Sequence, residues 1–321
     1  MKQKILFTSM LPGEKFSSIL SDSRFEIKVL TASERKDLAN AVADFDPDAL
    51  ISLLSDKIDS SVIDAAPNLK VISNYAAGFN NIDVKYCTQK GIIVTNTPDV
   101  LTDSTADIAI LLLLMASRRA YESEKFTRER KFTGWEVDLF LGRSLKDKTI
   151  GIIGTGRIGK AVALRAKAFG LNIIYWNRTK LSEEKEAEIS ASYCELDELL
   201  RKSHFISLHL PYVPELHHLI GRKEIDSMRP DAIIINTARG ALIDEDALAD
   251  ALSEKRIYAA GFDVYEHEPA INEKLFALDN AVLLPHIGSA TEETRAEMAK
   301  MAINGCITVL EGKKPSNSVN F

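Results

Sequence analysis

The sequence predicts an α/β protein built as two doubly wound parallel-sheet domains, and three observations lead to that prediction. Short apolar runs that read as strands alternate with helical patterns along the chain, which implies parallel strands covered by helices on both faces. At 321 residues the chain is long enough for two domains of ordinary size, each with its own core. Within Lys148–Gly170, KTIGIIGTGRIGKAVALRAKAFG, a strand, a glycine-rich turn and a helix follow one another directly.

From the N-terminus, Lys4–Thr8, Phe25–Leu30, Ala49–Leu54 and Leu69–Asn74 read as strands, with helical patterns at Ser33–Phe45 and Ser60–Ala66 between them. Ligands in such sheets sit beyond the carboxyl ends of the strands. Two loops there have the right character, Leu53-Leu54-Ser55-Asp56 and Tyr75-Ala76-Ala77-Gly78-Phe79-Asn80-Asn81. The second is small and contains glycine, so its backbone N–H groups could reach a carboxylate; a plain turn is the alternative. Gly91–Asn96 is a further strand, broken by Thr97-Pro98-Asp99. Thr102–Thr105 then supplies capping chemistry for a helix through Arg119 that is apolar on every face and is expected to be buried on all sides. Pro98–Asp103 is taken as the first crossing between domains. Tyr121–Arg143 mixes charges with Phe126, Phe132, Trp135, Leu139 and Phe140, which suits an arm packed on a second subunit better than a solvated loop.

The glycines Gly154, Gly156 and Gly159 form G-x-G-x-x-G between the strand at Ile150–Ile153 and the following helix. Gly154 can take backbone angles that other residues avoid, Gly156 lets a pyrophosphate approach the main chain, and Gly159 lets the helix pack close. The helix N-terminus offers unpaired N–H groups and partial positive charge to phosphates. This is a dinucleotide site rather than an empty structural turn. Leu171–Trp176 is the second strand, and an NAD enzyme would place Asp or Glu at its end, about 20 positions beyond the glycines, to hold the ribose hydroxyls. Here the chain reads Asn177-Arg178-Thr179-Lys180. A neutral amide followed by Arg and a hydroxyl can bind a 2′-phosphate that a carboxylate would repel, so NADP is expected. NAD remains an alternative, because Asn can also hydrogen-bond a ribose hydroxyl.

Beyond this unit, Phe205–Leu210 ends at Pro211, Ala232–Asn236 ends at Thr237-Ala238-Arg239-Gly240, Ala259–Val264 contains Asp263, and Ala281–Leu284 ends at Pro285-His286. Three of these strands deliver a polar residue to the edge where cofactor chemistry takes place: Arg239, Asp263 and His286. The last helix, Glu292–Leu310, is expected to return to the first domain. The expected boundaries are therefore 1–99 with 286–321 for one domain and 100–285 for the dinucleotide-binding domain.

Composition narrows the partners. Hydrophobic content of 45% and charged content of 27% suit a soluble globular protein. A net charge of −6, with Lys and Arg dispersed, gives no basic face for nucleic acid. Cys87, Cys194 and Cys306 are too few and too widely spaced for a disulfide framework or a zinc site, so no metal and a reducing cytoplasm are expected. The N-terminus shows no secretory signal, and the most apolar run, Ile108–Ala116, is too short to span a bilayer.

Reducing a 2-keto acid with a nicotinamide requires a cation for the carboxylate, an acid for the carbonyl oxygen and a group that keeps this acid charged. Arg239 can bind a carboxylate bidentately, His286 is of the residue type suited to general acid–base work near neutrality, and Glu268 beside it would favour the imidazolium. Each has a plainer alternative: a surface ion pair for Arg239, a capped loop histidine for His286, a solvated turn residue for Glu268.

Over essentially its whole length the chain resembles the D-isomer-specific 2-hydroxyacid dehydrogenases, and among them most the glyoxylate/hydroxypyruvate reductases. The resemblance rests on LLSDKID (53–59), NLKVISNYAAGFNNID (68–83), GIIVTNTPDVLTDSTAD (91–107), GIIGTGRIGKA (151–161), INTARGALIDEDAL (235–248), AAGFDVYEHEP (259–269) and LLPHIGSAT (283–291). It implies Rossmann-like and flavodoxin-like domains closing a cleft, in a homodimer. It implies that Arg239 binds the substrate carboxylate with the Ala77 and Gly78 amides and with Leu54 nearby, that His286 is the acid/base and that Glu268 is its partner. It also implies that Asp263 and the Ala238 carbonyl hold the carboxamide and that Thr105 contacts the cofactor. The expected cofactor contacts are completed by Gly154, Gly156, Arg157, Ile158, Gly159, Asn177, Arg178, Thr179, Leu210, Pro211, Thr237, His286 and Gly288. The usual acidic residue after the second cofactor strand is replaced by Asn177. Glu268, where the resemblance implies Gln in formate dehydrogenases, argues against that activity, and a chain ending at Phe321 is expected to lack the regulatory domain of long phosphoglycerate dehydrogenases. A D-lactate-type dehydrogenase of a bulkier keto acid and a non-catalytic nucleotide-sensing corepressor are the alternatives.

Overall fold

The computed structural model describes residues 2–321, and the chain divides into two compact units, Met1–Leu101 with Ser289–Phe321, and Thr102–Gly288. The first unit begins with β1 (Gln3–Phe7), α1 (Glu14–Leu20), β2 (Phe25–Val29), α2 (Leu38–Phe45), β3 (Ala49–Leu53), α3 (Ser60–Asp64), β4 (Val71–Tyr75), α4 (Val84–Gln89) and β5 (Ile93–Thr95). Its five strands are parallel, in the order β2-β1-β3-β4-β5, which is the flavodoxin-like doubly wound order. Side chains alternate across the sheet: Ile5, Phe7 and Ile51 enter one core layer, Leu6, Leu50 and Ile72 the other. Full burial of each such side chain stabilises by roughly 1.5–3 kcal/mol.

Aspartates decide where the helices of this unit begin. Asp37, Asp59 and Asp83 each accept a backbone N–H of the first turn of α2, α3 and α4. Asp37 also explains a departure from the expected single helix over Ser33–Phe45. Glu34–Asp37 is a 3₁₀ turn, and the α-helix starts only after the aspartate that caps it.

The second unit contains α5 (Thr102–Ser117), α6 (Ala120–Arg128), β6 (Thr149–Ile153), α7 (Arg157–Ala168), β7 (Asn172–Trp176), α8 (Glu183–Ile189), β8 (Ala191–Tyr193), α9 (Leu196–Lys202), β9 (Phe205–Leu208), α10 (Arg222–Asp226), β10 (Ile233–Asn236), α11 (Glu245–Ser253), β11 (Ala259–Phe262), α12 (Glu273–Phe276) and β12 (Ala281–Leu283). Its seven strands run β12-β11-β10-β9-β6-β7-β8. Chain order moves outward from β6 through β7 to β8, then resumes on the other side of β6 with β9. The topological switch point, where open α/β sheets bind ligands, therefore lies between β6 and β9, which pair in register from Ile150↔Phe205 to Ile153↔Leu208.

The helix over Thr102–Arg119 was expected to be buried on all sides, but α5 buries Ala106, Ala109, Ile110, Leu112, Leu113 and Ala116 while Leu111 is 41% exposed. Uniform apolarity does not distinguish the face that meets the sheet from the face turned away. After α6 the chain has no regular structure until β6, and here Phe132, Trp135, Val137 and Leu141 are all exposed, Trp135 by 83%. Phe140 instead packs edge-to-face on Phe126 and under the Arg119 guanidinium. The chain ends in α13 (Glu292–Leu310), capped by Thr291, whose Ala299, Ala302, Ile303 and Cys306 complete the first unit's core.

Candidate functional site

At the switch point of the second unit, β6 runs into Gly154, whose φ of +95° is a conformation L side chains rarely adopt. A Cβ on Gly159 would lie 1.9 Å from the Gly154 carbonyl oxygen, so the first turn of α7 can sit against the end of β6 only with glycine there. Nothing lies within 4 Å of a Cβ built on Gly156, which leaves the turn open to a ligand. Gly156 is also the N-cap of α7 and has no side chain to satisfy the first N–H groups. Arg157 and Ile158 begin the helix, Arg157 being exposed. Leu210 closes the turn from just beyond the end of β9, its Cδ2 lying 2.8 Å from a Cβ built on Gly154, and Pro211 follows it. These residues fit a dinucleotide pyrophosphate.

At the end of β7 the Asn177 side chain folds back on the glycine turn. Its Oδ1 accepts the Thr155 N–H at 2.8 Å and its Nδ2 donates to Thr155 Oγ1 at 2.5 Å. Arg178 and Thr179 are exposed, and their side chains have no hydrogen-bond or ion-pair partner among the described residues. The hydroxyl of Thr155, one of the x positions of the motif, was not anticipated. Nor was His209 after β9, which packs beneath the turn with Nε2 2.8 Å from Ser207 Oγ. Burial pushes the His209 imidazole down to about 3, so it is neutral at ordinary pH, and its Nδ1 has no partner among the described residues.

The loops after β10, β11 and β12 bring Arg239, Glu268 and His286 together. His286 Nδ1 lies 2.8 Å from Glu268 Oε2, and the other carboxylate oxygen, Oε1, accepts the Tyr265 N–H at 2.9 Å. Burial pushes the Glu268 carboxyl up, but the hydrogen bond and charge of His286, the Tyr265 N–H and Arg239 outweigh it and hold the pKa below its ordinary 4.5. Burial lowers the pKa of Arg239 and Glu268 opposes this, yet no carboxylate among the described residues comes within ion-pair distance of its guanidinium. Arg239 Nη1 donates instead to the Ala238 carbonyl at 2.6 Å. A half-buried guanidinium with no anionic partner among the described residues is suited to receive one; the surface ion-pair alternative does not describe it.

Asp263 is 1% exposed, and its two carboxylate oxygens accept the Ile287 and Gly288 N–H groups, each at 2.7 Å. Burial raises its pKa, against the N–H of Ile287, the charge of His286 and the N–H of Gly288. Asp263 therefore anchors the turn that presents His286, whose φ is +53°. Thr105, in the first turn of α5, lies beside Gly288, its Oγ1 3.3 Å from a Cβ built there. Thr237 Oγ1 is buried without a partner among the described residues, one that a ligand group at this edge would supply.

Leu54, Ala77 and Gly78 lie in the first unit, and three asparagines not anticipated from sequence shape their loops. Asn74 Nδ2 donates to the Gly78 carbonyl at 2.8 Å, Asn96 Nδ2 to the Ala77 carbonyl at 2.7 Å, and Asn81 Nδ2 to the Leu53 carbonyl at 3.1 Å. With these carbonyls held by side chains, the Ala77 and Gly78 N–H groups have no acceptor among the described residues. Asp56 secures the Leu54 loop by accepting the Leu53 N–H at 2.7 Å and pairing with Arg35.

His217, His218 and Glu266 bring three metal-ligand atoms within 4.8 Å of one another. The two imidazoles stack at 3.9 Å with 22° between their planes, so their in-plane lone pairs run side by side, and His218 Nε2 is already 2.7 Å from Glu266. No helix among the described residues is long and apolar enough to cross a membrane.

Residues 110–288 match the family model for the D-isomer specific 2-hydroxyacid dehydrogenase, NAD binding domain. The chain is 47% identical to the glyoxylate reductase of Thermococcus litoralis, covering 100% of this chain and 97% of that protein. Among solved structures it is similar to a glyoxylate reductase from Paecilomyes thermophila, with 35% identity, a TM-score of 0.88 and coverage of 99% and 98% of the two chains. It is also similar to an NADPH-dependent glyoxylate/hydroxypyruvate reductase from Sinorhizobium meliloti in complex with NADP and malonate, with 28% identity, a TM-score of 0.83 and coverage of 99% and 97%.

Proposed function

The chain belongs to the D-isomer specific 2-hydroxyacid dehydrogenase family, and from that premise we propose that it reduces glyoxylate or hydroxypyruvate to glycolate or D-glycerate with a nicotinamide cofactor. The observation that supports this most is the half-buried Arg239 guanidinium, unpaired with any carboxylate among the described residues, beside the Glu268–His286 pair. Arg239 binds the substrate carboxylate and polarises the adjacent carbonyl. His286 gives a proton to the carbonyl oxygen as it becomes the hydroxyl, and Glu268 holds the imidazole at Nδ1 and stabilises its charged form. The Ala77 and Gly78 N–H groups, with Leu54 alongside, belong to the substrate-binding unit in this reading.

Gly154, Gly156, Arg157, Ile158 and Gly159 would hold the dinucleotide phosphates, with Leu210 and Pro211 over the turn and Thr105, Thr237, Ala238, Asp263 and Gly288 near the nicotinamide end. When bound, the reduced nicotinamide supplies the hydride. NADPH is the preferred form in this reading, because Asn177 carries no charge to repel a 2′-phosphate and Arg178 and Thr179 are free to meet one. The exposed Trp135, Val137 and Leu141 suit an arm that covers a second copy of the chain, and the three unpaired cysteines suit a reducing cytoplasm.

The test is initial-rate reduction of glyoxylate, hydroxypyruvate, pyruvate and phenylpyruvate with NADPH and with NADH. The proposal expects the highest kcat/KM for one of the first two. A clear preference for phenylpyruvate, or no reduction of any of them, would overturn it.

A further inference from the structure

Asp56, Asp263 and Glu245 are the carboxylate residues buried among the described residues. Asp56 is paired with Arg35 and Asp263 holds the His286 turn, but Glu245, 5% exposed, has no cationic partner among the described residues. It is the first residue of α11, where a carboxylate is favourable near the helix N-terminus. The capping, however, is already done by Asp244, which accepts the Ala247 N–H at 2.9 Å. The Glu245 side chain turns instead to the loop after β11, where its Oε1 accepts the Glu266 N–H at 2.6 Å.

That loop carries Glu268. The neighbouring N–H, of Tyr265, is the one that holds Glu268 Oε1 at 2.9 Å. The same stretch lies directly on the segment that carries Arg239: a Cβ on Gly240 would fall 1.9 Å from the Tyr265 carbonyl carbon and 2.1 Å from the Glu266 nitrogen. Two loops that bear active-site residues thus meet backbone to backbone, and Glu245, from the helix that follows one of them, bonds the other.

We propose that Glu245 is a positioning residue for the reduction, its carboxylate holding the Tyr265–Glu268 turn on the Arg239–Gly240 segment and so setting Glu268 against His286. A carboxylate is costly here. Burial pushes its pKa up, and of the charged groups facing it Glu266 and Glu268 act in the same direction while His267 opposes them. A helix-terminal role alone would be met at less cost by an exposed acid, whereas a short bond to the Glu266 N–H needs an acceptor at this buried point.

The inference rests on the reading of Glu268 and His286 as a working pair, so Glu268→Gln and His286→Gln are measured alongside. If those variants keep full turnover, that reading fails whatever Glu245 does. The experiment is glyoxylate reduction by Glu245→Ala and Glu245→Gln as a function of pH, with thermal unfolding recorded. Glu245→Ala should lose about 10–100-fold in kcat, since a small displacement of a catalytic group is enough for that, and the alkaline limb of its profile should move to lower pH, as in Glu268→Gln. Glu245→Gln, whose amide oxygen can accept the same N–H, should recover most of the turnover and the original profile. A Glu245→Ala protein with a lowered Tm but wild-type turnover and pH profile would make Glu245 purely structural and overturn the proposal. So would a loss that glutamine does not rescue. If Glu245→Ala does not fold, Glu245→Asp, which retracts the acceptor, is read instead, with a shifted profile expected and a wild-type profile contradicting.

Discussion

His286 Nδ1 and Glu268 Oε2 are 2.8 Å apart, joined across the loops that follow β12 and β11. This bond engages Nδ1 and leaves Nε2 as the atom that would transfer the proton in the proposed reduction. The pairing has a definite acid limit. With its pKa held below the ordinary 4.5 by His286, Glu268 stays ionised to lower pH than a carboxyl in the usual carboxylate range. The pair's contribution to stability is present above that range and is lost as pH falls through the lowered value.

Replacing Glu268 by Gln should therefore move the alkaline limb of glyoxylate reduction to lower pH, because a neutral amide no longer favours the imidazolium. The measurement is kcat/KM against pH for both proteins. Superimposable profiles would mean the carboxylate does not act on His286.

Arg239→Lys keeps the positive charge but loses the two-pronged geometry, so the KM for glyoxylate should rise sharply while some turnover remains. Steady-state kinetics at saturating cofactor decide it. Wild-type kinetics in the lysine variant would make Arg239 a structural residue.

For cofactor choice, Asn177→Asp combined with Arg178→Ala should invert the preference from NADPH to NADH. The change adds repulsion as well as removing attraction. A charge-assisted hydrogen bond contributes about 1.5–3 kcal/mol, and about 1.4 kcal/mol is tenfold in affinity, so one good contact suffices. Asp can accept both the Thr155 N–H and hydroxyl that Asn177 now meets, so the variant should fold. Equal kcat/KM for the two cofactors in the unmodified protein would remove the NADPH reading and leave the reductase reading in place.

Much of this was legible in the sequence because it is local. The glycines of the turn, the strand before them and the helix after them lie in one stretch, and each glycine answers a steric demand within that stretch. Arg239, Asp263 and His286 could be placed because each follows a strand, and in a parallel sheet the strand ends share an edge. What could not be read depends on partners far apart in sequence. Asn96 reaches the Ala77 carbonyl, and Glu245 the Glu266 N–H, only because the sheet order brings their loops together. Thr155 stands in the motif at a position free to vary, and nothing local says that its hydroxyl meets Asn177. The three-residue strand β8 is too short for its alternation to stand out.

The most direct test of His286 as the proton donor is turnover of His286→Gln with glyoxylate, with NADPH binding followed separately by fluorescence. If His286 delivers the proton to the carbonyl oxygen, kcat should fall about 10²–10⁴-fold while the cofactor still binds. Near-normal turnover in this variant would contradict the assignment.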